Sequence, residues 1–356
     1  MSKFWNSKTL NIDPYVPGEQ PKGIERLIKI NTNENPYGPS PKVIEAIKNA
    51  SDDALRLYPD PNGTKVREAF AKINGISIEN VFVGNGSDEV LGFAFAAFFD
   101  KDKKINFADI TYSFYPVYCK MFDVTYNILP LKDDLSIDVE DFCHCEGGVC
   151  IANPNAPTSL AISLSDIERI LQSHIDDVVI VDEAYVDFGA ESAVKLINKY
   201  PNLLVTQTLS KSRGLAGLRV GFAAGSTELI EGLDRVKNSF NSYTMDKLAM
   251  AGAEAALYDT EYFTEITRKI SATRDRVSAK LKYLGFDVPE SKANFVFIEH
   301  KTFKAQDLFP YLRSKGILVR YFNKEKIDNR LRVTIGTDEE MDCFLSVLEE
   351  YVNERS

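Results

Sequence analysis

Short, continuous apolar runs rich in β-branched residues recur at 81–83, 148–152, 178–181 and 203–206. A run without polar alternation predicts a strand buried on both faces, the condition of a parallel sheet covered by helices. Before and between the runs lie stretches of helical periodicity at 41–49, from 64 onward, from the 84–89 turn through 99, and at 165–172. Alternation of this kind over about 200 residues predicts a three-layer α/β/α domain. After about residue 240 the pattern changes. A long helical region covers 245–284, followed by strands at 294–299, 317–321 and 330–335 and a helix near Leu308. The expected fold class is therefore α/β: a large domain with a mostly parallel central sheet plus a smaller α+β domain. The expected division is an amino-terminal arm at 1–35, rich in Pro, Asn and Gly, a large domain at 36–240 and a small domain at 241–356.

Composition narrows the function. The chain has 356 residues and a net charge of −10, without a polybasic block. Nucleic acid is excluded as a partner on that ground, because backbone binding draws on clustered Lys and Arg. No apolar run reaches the roughly 20 residues of a membrane helix, and residues 1–6 carry no hydrophobic signal core. Five cysteines, an odd number, fit reduced thiols, so a cytoplasmic protein is expected. Cys143-His144-Cys145 with Cys150 fits no common zinc spacing, and no metal is expected. A dehydrogenase is excluded because no Gly-x-Gly-x-x-Gly opens the first βα turn.

Four stretches carry candidate chemistry. Ser210-Lys211 opens a glycine-punctuated turn, and Arg219 follows it. An aldehyde cofactor bearing a phosphate needs an amine to condense with, a hydroxyl for a phosphate oxygen and a guanidinium to grip the phosphate. Lys211, Ser210 and Arg219 supply these. Gly84-Asn85-Gly86-Ser87-Asp88-Glu89 joins a predicted strand to a helix, and outward N–H groups there would cradle a phosphate. Asn153-Pro154-Asn155-Ala156-Pro157-Thr158 follows a strand, where Asn155 either faces a ligand or closes an Asx-turn. Asp182 ends another strand, with Tyr185 three residues on. An aspartate there either caps a helix or keeps a pyridine nitrogen protonated. Each feature is common alone. Their order is informative, since the intervals from Asn155 to Asp182 and on to Lys211 each fit one helix-plus-strand unit.

With Asn31-Thr32-Asn33-Glu34-Asn35-Pro36-Tyr37-Gly38-Pro39, Tyr58-Pro59-Asp60, Thr111-Tyr112-Ser113-Phe114-Tyr115 and Leu331-Arg332-Val333-Thr334-Ile335-Gly336-Thr337 added, the chain resembles the fold-type I aminotransferases nearly end to end. The resemblance implies pyridoxal 5'-phosphate as cofactor. It implies Lys211, Asp182 and Tyr185 as catalytic residues, with Asn155 and Tyr185 at the ring oxygen and Tyr112 on the ring face. Ser87, Asp88, Ser210 and Arg219 would hold the phosphate. Tyr58 would reach a partner subunit's cofactor, implying a homodimer. Arg332, Tyr15 and Asn33 would meet the substrate. Within the family the likeness is to the branch acting on histidinol phosphate, which implies exchange with glutamate/2-oxoglutarate in histidine biosynthesis. Threonine-phosphate decarboxylation and aromatic amino acid transamination use the same cofactor residues and stand as alternatives. Two segments depart from the pattern: Ser159, where many relatives have glycine, and 237–243, which replaces a proline-containing stretch near the substrate. Arg213 is expected at the surface.

Overall fold

The computed structural model describes residues 3–14, 19 and 27–355. A short strand, β1 (Ile28–Lys29), precedes β2 (Val81–Gly84), β3 (Ile105–Ala108), β4 (Tyr126–Leu129), β5 (Gly148–Ala152), β6 (Val179–Asp182), β7 (Leu203–Thr208) and β8 (Gly221–Gly225). The later strands are β9 (Phe286–Asp287), β10 (Phe295–His300), β11 (Ile317–Leu318), β12 (Arg320–Tyr321) and β13 (Leu331–Thr334). Strands β2 to β8 form one sheet in the order β2-β8-β7-β6-β5-β3-β4. All neighbours are parallel except β8, which runs antiparallel to both β2 and β7.

The expected three layers follow from the period of two along each strand. Val81, Val83, Val149, Ile151, Val179, Val181, Leu203 and Val205 face one core, shared with the helices at Pro41–Ala50, Thr64–Asn74 and Leu164–Ser173. Phe82, Cys150, Ile180 and Leu204 face the other, under Ser87–Phe98, Tyr115–Phe122 and Thr227–Phe240. Local signals set the helix starts. Ser40 accepts from the Lys42 amide with Pro41 at the first position, and Ser163 forms a capping box with Asp166.

The four-stranded sheet β12-β13-β10-β9 builds a second core with the helices Thr260–Tyr283, Ala305–Ser314 and Asp338–Arg355. Two features differ from the sequence pattern. Residues 245–257, beyond the expected boundary at 240, pack into the core of the large sheet through Met245, Ala249, Ala253 and Leu257. Helical periodicity says that an apolar face is buried but not against which core. The end of the expected arm is likewise built in, since β1 pairs parallel with β11 and Ile30 is buried in the second core. No helix among the described residues is long and apolar enough to cross a membrane.

Candidate active site

The carboxyl ends of β2, β5, β6 and β7 open onto one cavity of about 140 Å³, where open α/β sheets bind ligands. Ser87, Asp88, Tyr112, Asp182, Tyr185, Ser210, Lys211 and Arg219 all line it. A larger cavity of about 440 Å³ adjoins it, sharing Tyr112, Ala156, Tyr185 and Lys211. Its further lining includes Asn33, Arg332, Arg320 and Lys324.

One end of the smaller cavity is shaped for an anion. The helix Ser87–Phe98 begins on Gly86, which has φ +85° and gives no side-chain cap, so its first-turn N–H groups face the space. Close approaches fix this turn. A Cβ at Gly86 would lie 2.6 Å from Arg219 Nη2, and one at Gly221 would lie 2.4 Å from Ser87 N. Arg219, itself left-handed at φ 53°, holds Asp88 Oδ2 at 3.0 Å, and the Tyr112 hydroxyl donates to Asp88 Oδ1 at 2.7 Å. Burial and the Asp88 charge push the Tyr112 phenol well above its ordinary range, so it stays a donor. Ser210 adds a hydroxyl, held 2.9 Å from Thr208 Oγ1, which also accepts from the Ser210 amide.

The other end is acidic. Asp182 is 5% exposed, and its carboxylate accepts from Tyr115 at 2.8 Å and Thr206 at 3.2 Å. Burial raises its pKa from 3.8 to about 6, against the two hydrogen bonds, which lower it. No cation among the described residues pairs with it. A protonated ring nitrogen would complete such a buried carboxylate. Lys211 lies between these ends. Its Nζ donates to Thr32 O at 3.4 Å and sits 5.9 Å from the Tyr185 ring centroid, while Asn35 Nδ2 holds its carbonyl at 2.8 Å. An amine, a phosphate cradle and an acid at the far end thus share one cavity, the donor set that an aldehyde-bearing pyridine phosphate requires.

The larger cavity is cationic. Arg332 on β13 and Arg320 on β12 are directly opposed in the antiparallel ladder. Arg332 also donates to Asn31 O at 2.9 Å and lies over Phe295 and Phe322. Lys324 reaches across to the carbonyl of Asp109, and Lys326 holds the Asp109 carboxylate at 2.9 Å, so the segment after β12 roofs this space.

Of the expected site residues, Asn155 and Tyr58 line neither cavity of this subunit. Both Asn155 amide hydrogens are engaged, with Ile110 O at 2.9 Å and Thr158 Oγ1 at 3.0 Å, so the side chain sits in the wall behind the cavity. Tyr58 is 82% exposed and stacks on Tyr243. Tyr15 lies outside the described residues. Asn33 lines the larger cavity, but its side chain is bound to Tyr185 and Thr334. Arg213 is not a surface residue: its guanidinium lies 3.7 Å over Phe263 and donates to Ala256 O, and burial lowers its pKa to about 10. Sequence reasoning missed Tyr115, Thr206, Thr208, Arg320 and Lys324. Pairing the two predicted strands at 317–321 and 330–335 would have set Arg320 beside Arg332.

The sequence pattern of the family described as aminotransferase class I and II matches residues 25–348. A histidinol-phosphate aminotransferase of Clostridium acetobutylicum is 60% identical over 352 residues, covering 99% of this chain and all of the relative. One from Clostridium botulinum strain Langeland is 55% identical, covering 99% of each. Among solved structures, the histidinol-phosphate aminotransferase of Sinorhizobium meliloti in complex with pyridoxal-5'-phosphate superposes with a TM-score of 0.87 at 24% identity, covering 100% of this chain and 99% of that one. That likeness establishes the fold.

Proposed function

The chain belongs to the class I and II aminotransferases, and we propose that it uses pyridoxal 5'-phosphate to exchange an amino group between L-histidinol phosphate and 2-oxoglutarate, giving imidazole acetol phosphate and L-glutamate. The observation that carries this reading is the pair of adjoining cavities, one fitted to the cofactor and one bearing Arg320, Lys324 and Arg332 for an anionic substrate. Curated relatives at 53–60% identity carrying the histidinol-phosphate name support it. They do not favour threonine-phosphate decarboxylation or aromatic transamination.

Bound in the smaller cavity, the cofactor supplies an electron-withdrawing ring that acidifies the substrate's Cα–H. The residues divide the remaining work. Lys211 Nζ anchors the aldehyde and moves the proton between the substrate's Cα and the cofactor's C4′. Asp182 holds the proton on the ring nitrogen, and its buried Tyr115 and Thr206 partners keep it aimed there. Tyr112 covers the ring face. Tyr185 donates to the ring oxygen, which Asn155 would reach only by giving up a present bond. The N–H groups of Ser87 and Asp88, the Ser210 hydroxyl and the Arg219 guanidinium grip the phosphate. Arg332 and Arg320 take the substrate anion, and a guanidinium accepts phosphate or carboxylate with similar geometry, so one pocket serves both substrates. Borohydride reduction of the loaded protein should fix the cofactor on the peptide containing Lys211. Labelling of any other lysine would contradict the assignment.

The same reading extends to assembly, domains and place in the cell. Tyr58 is exposed and stacks on Tyr243, and its chain neighbours Leu55 and Leu57 and Phe240, three residues before Tyr243, are each more than half exposed, apolar exposure suited to a homodimer in which Tyr58 meets the partner's cofactor. The division into an arm, a large domain and a small domain is supported by the two separate cores, with residues 245–257 packed into that of the large sheet. A biosynthetic role and the thiol content fit the cytoplasm. Mixing Lys211→Ala and Tyr58→Ala subunits tests the shared site: activity recovered only in the mixture supports it, and an inactive mixture of folded dimers refutes it.

A further inference from the structure

Tyr185 is useful at the cofactor's ring oxygen only if its hydroxyl proton points into the cavity. The structure contains a device that fixes this direction. Asn33 Nδ2 donates to the Tyr185 hydroxyl at 3.0 Å, which makes the phenol oxygen an acceptor on that side and leaves its proton for the other. An amide can be turned over, exchanging its N and O ends at little cost in shape. In the turned state Tyr185 would donate to Asn33 and lose its proton to the protein wall. Thr334 decides between the two. Its Oγ1 accepts from the Asn33 backbone N–H at 2.9 Å, so its only proton goes to Asn33 Oδ1, also at 2.9 Å. A donor facing Oδ1 pins the oxygen end there and the NH₂ end at Tyr185.

The surroundings remove the freedom to relax. Asn33 is 1% exposed and left-handed at φ 56°, and its carbonyl is held by Asn294 Nδ2 at 3.1 Å. Thr334 is 3% exposed and pairs with Phe295 in the β10–β13 ladder. The Phe295 ring meets the Tyr185 ring edge-on at 5.1 Å, which closes the circuit. We infer that Thr334 is a positioning residue that sets the Asn33 amide and thereby commits the Tyr185 proton to the cofactor's ring oxygen. This rests on the proposed function. Thr334 lies on the strand that bears Arg332, two residues earlier on the same face, so the substrate-anion strand and the ring-oxygen donor are joined by three hydrogen bonds.

The test is the pH midpoint of the bound cofactor's visible absorption, read without substrate. A donor at the ring oxygen weakens that oxygen's hold on the proton of the neighbouring lysine nitrogen, so loss of the donor lets the proton persist to higher pH. Thr334→Val should raise the midpoint by about one pH unit, a tenfold change in proton affinity typical of one charge-assisted hydrogen bond. Thr334→Ser should restore the wild-type value. Tyr185→Phe should raise the midpoint too, and adding Thr334→Val to it should raise it no further. An unchanged midpoint in Thr334→Val, or an additional rise in the double variant, overturns the inference. If the valine variant does not fold, Thr334→Ala removes the same donor with less bulk and is judged the same way. A wild-type protein that shows no visible absorption with the cofactor would instead sink the proposed function.

Discussion

Replacing Gly221 by alanine would disturb the phosphate cradle without altering any side chain that touches the cofactor. The new Cβ would lie 2.4 Å from Ser87 N, 2.5 Å from Gly86 C and 2.8 Å from Gly86 O. Ordinary contact begins near 3.4 Å, so backbone must retreat by about 1 Å. Strand β8 is held by ladders on both sides, with Gly221 opposite Gly84 and Thr208. The turn at 86–87 therefore moves instead, taking the first N–H of the helix away from the phosphate. Losing one hydrogen bond to a charged group costs about 1.5–3 kcal/mol, or about a 10- to 100-fold weaker Kd. Overpacking should also destabilise the cofactor-free protein by about 1–3 kcal/mol, which a thermal melt records separately. Titration of the cofactor-free protein with pyridoxal phosphate, followed by fluorescence, reads the affinity. Gly217→Ala is the control, because a Cβ there meets nothing within 4 Å. An unchanged Kd in folded Gly221→Ala would refute the cradle as described.

Asp182→Asn separates stability from chemistry. The rise from 3.8 to about 6 means that the folded, cofactor-free protein binds this proton more tightly than the unfolded chain. The resulting stability is full below pH 4 and is lost as pH rises through about 6, by up to about 3 kcal/mol. The asparagine variant should therefore melt higher than wild type at pH 8 but not at pH 4, while transamination falls by orders of magnitude; equal melting at pH 8 would contradict this. Arg320→Ala should raise KM for the phosphorylated substrate about 10- to 100-fold with a smaller effect on kcat, and steady-state kinetics showing an unaltered KM would exclude Arg320 from the anion pocket. Asp109→Ala frees Lys326 from the roof of the larger cavity, while Lys324 keeps its bond to the backbone carbonyl of residue 109. Such exposed pairs are worth less than about 1 kcal/mol, so KM should rise only a few-fold at low salt and match wild type at high salt.

The sequence carried the layered fold because strands such as β5 and β6 are unbroken apolar runs whose alternate residues serve opposite cores. Strand β8, Gly-Phe-Ala-Ala-Gly, escaped notice, since small residues suited to close approach carry little strand propensity. Asp182, Ser210 and Lys211 were legible because each lies at or just after the carboxyl end of a strand, and strand ends converge in an open α/β sheet. Thr334 was not. Its role depends on β13 meeting the loop at 31–35, a contact 301 residues apart in the chain that no local pattern encodes. Asn155 shows the converse: a motif names the residue, while packing gives both of its amide hydrogens to Ile110 O and Thr158 Oγ1.

The most direct test of the account is a single half-reaction. Protein loaded with pyridoxal phosphate is mixed with L-histidinol phosphate, and the visible absorption of the bound cofactor is followed as it passes to the pyridoxamine form. Conversion faster than with unphosphorylated histidinol or phenylalanine is the predicted result, because histidinol phosphate brings a dianionic phosphate to Arg320 and Arg332, phenylalanine a singly charged carboxylate and histidinol no anion. Conversion by glutamate alone, with histidinol phosphate inert, would contradict the substrate assigned to this site.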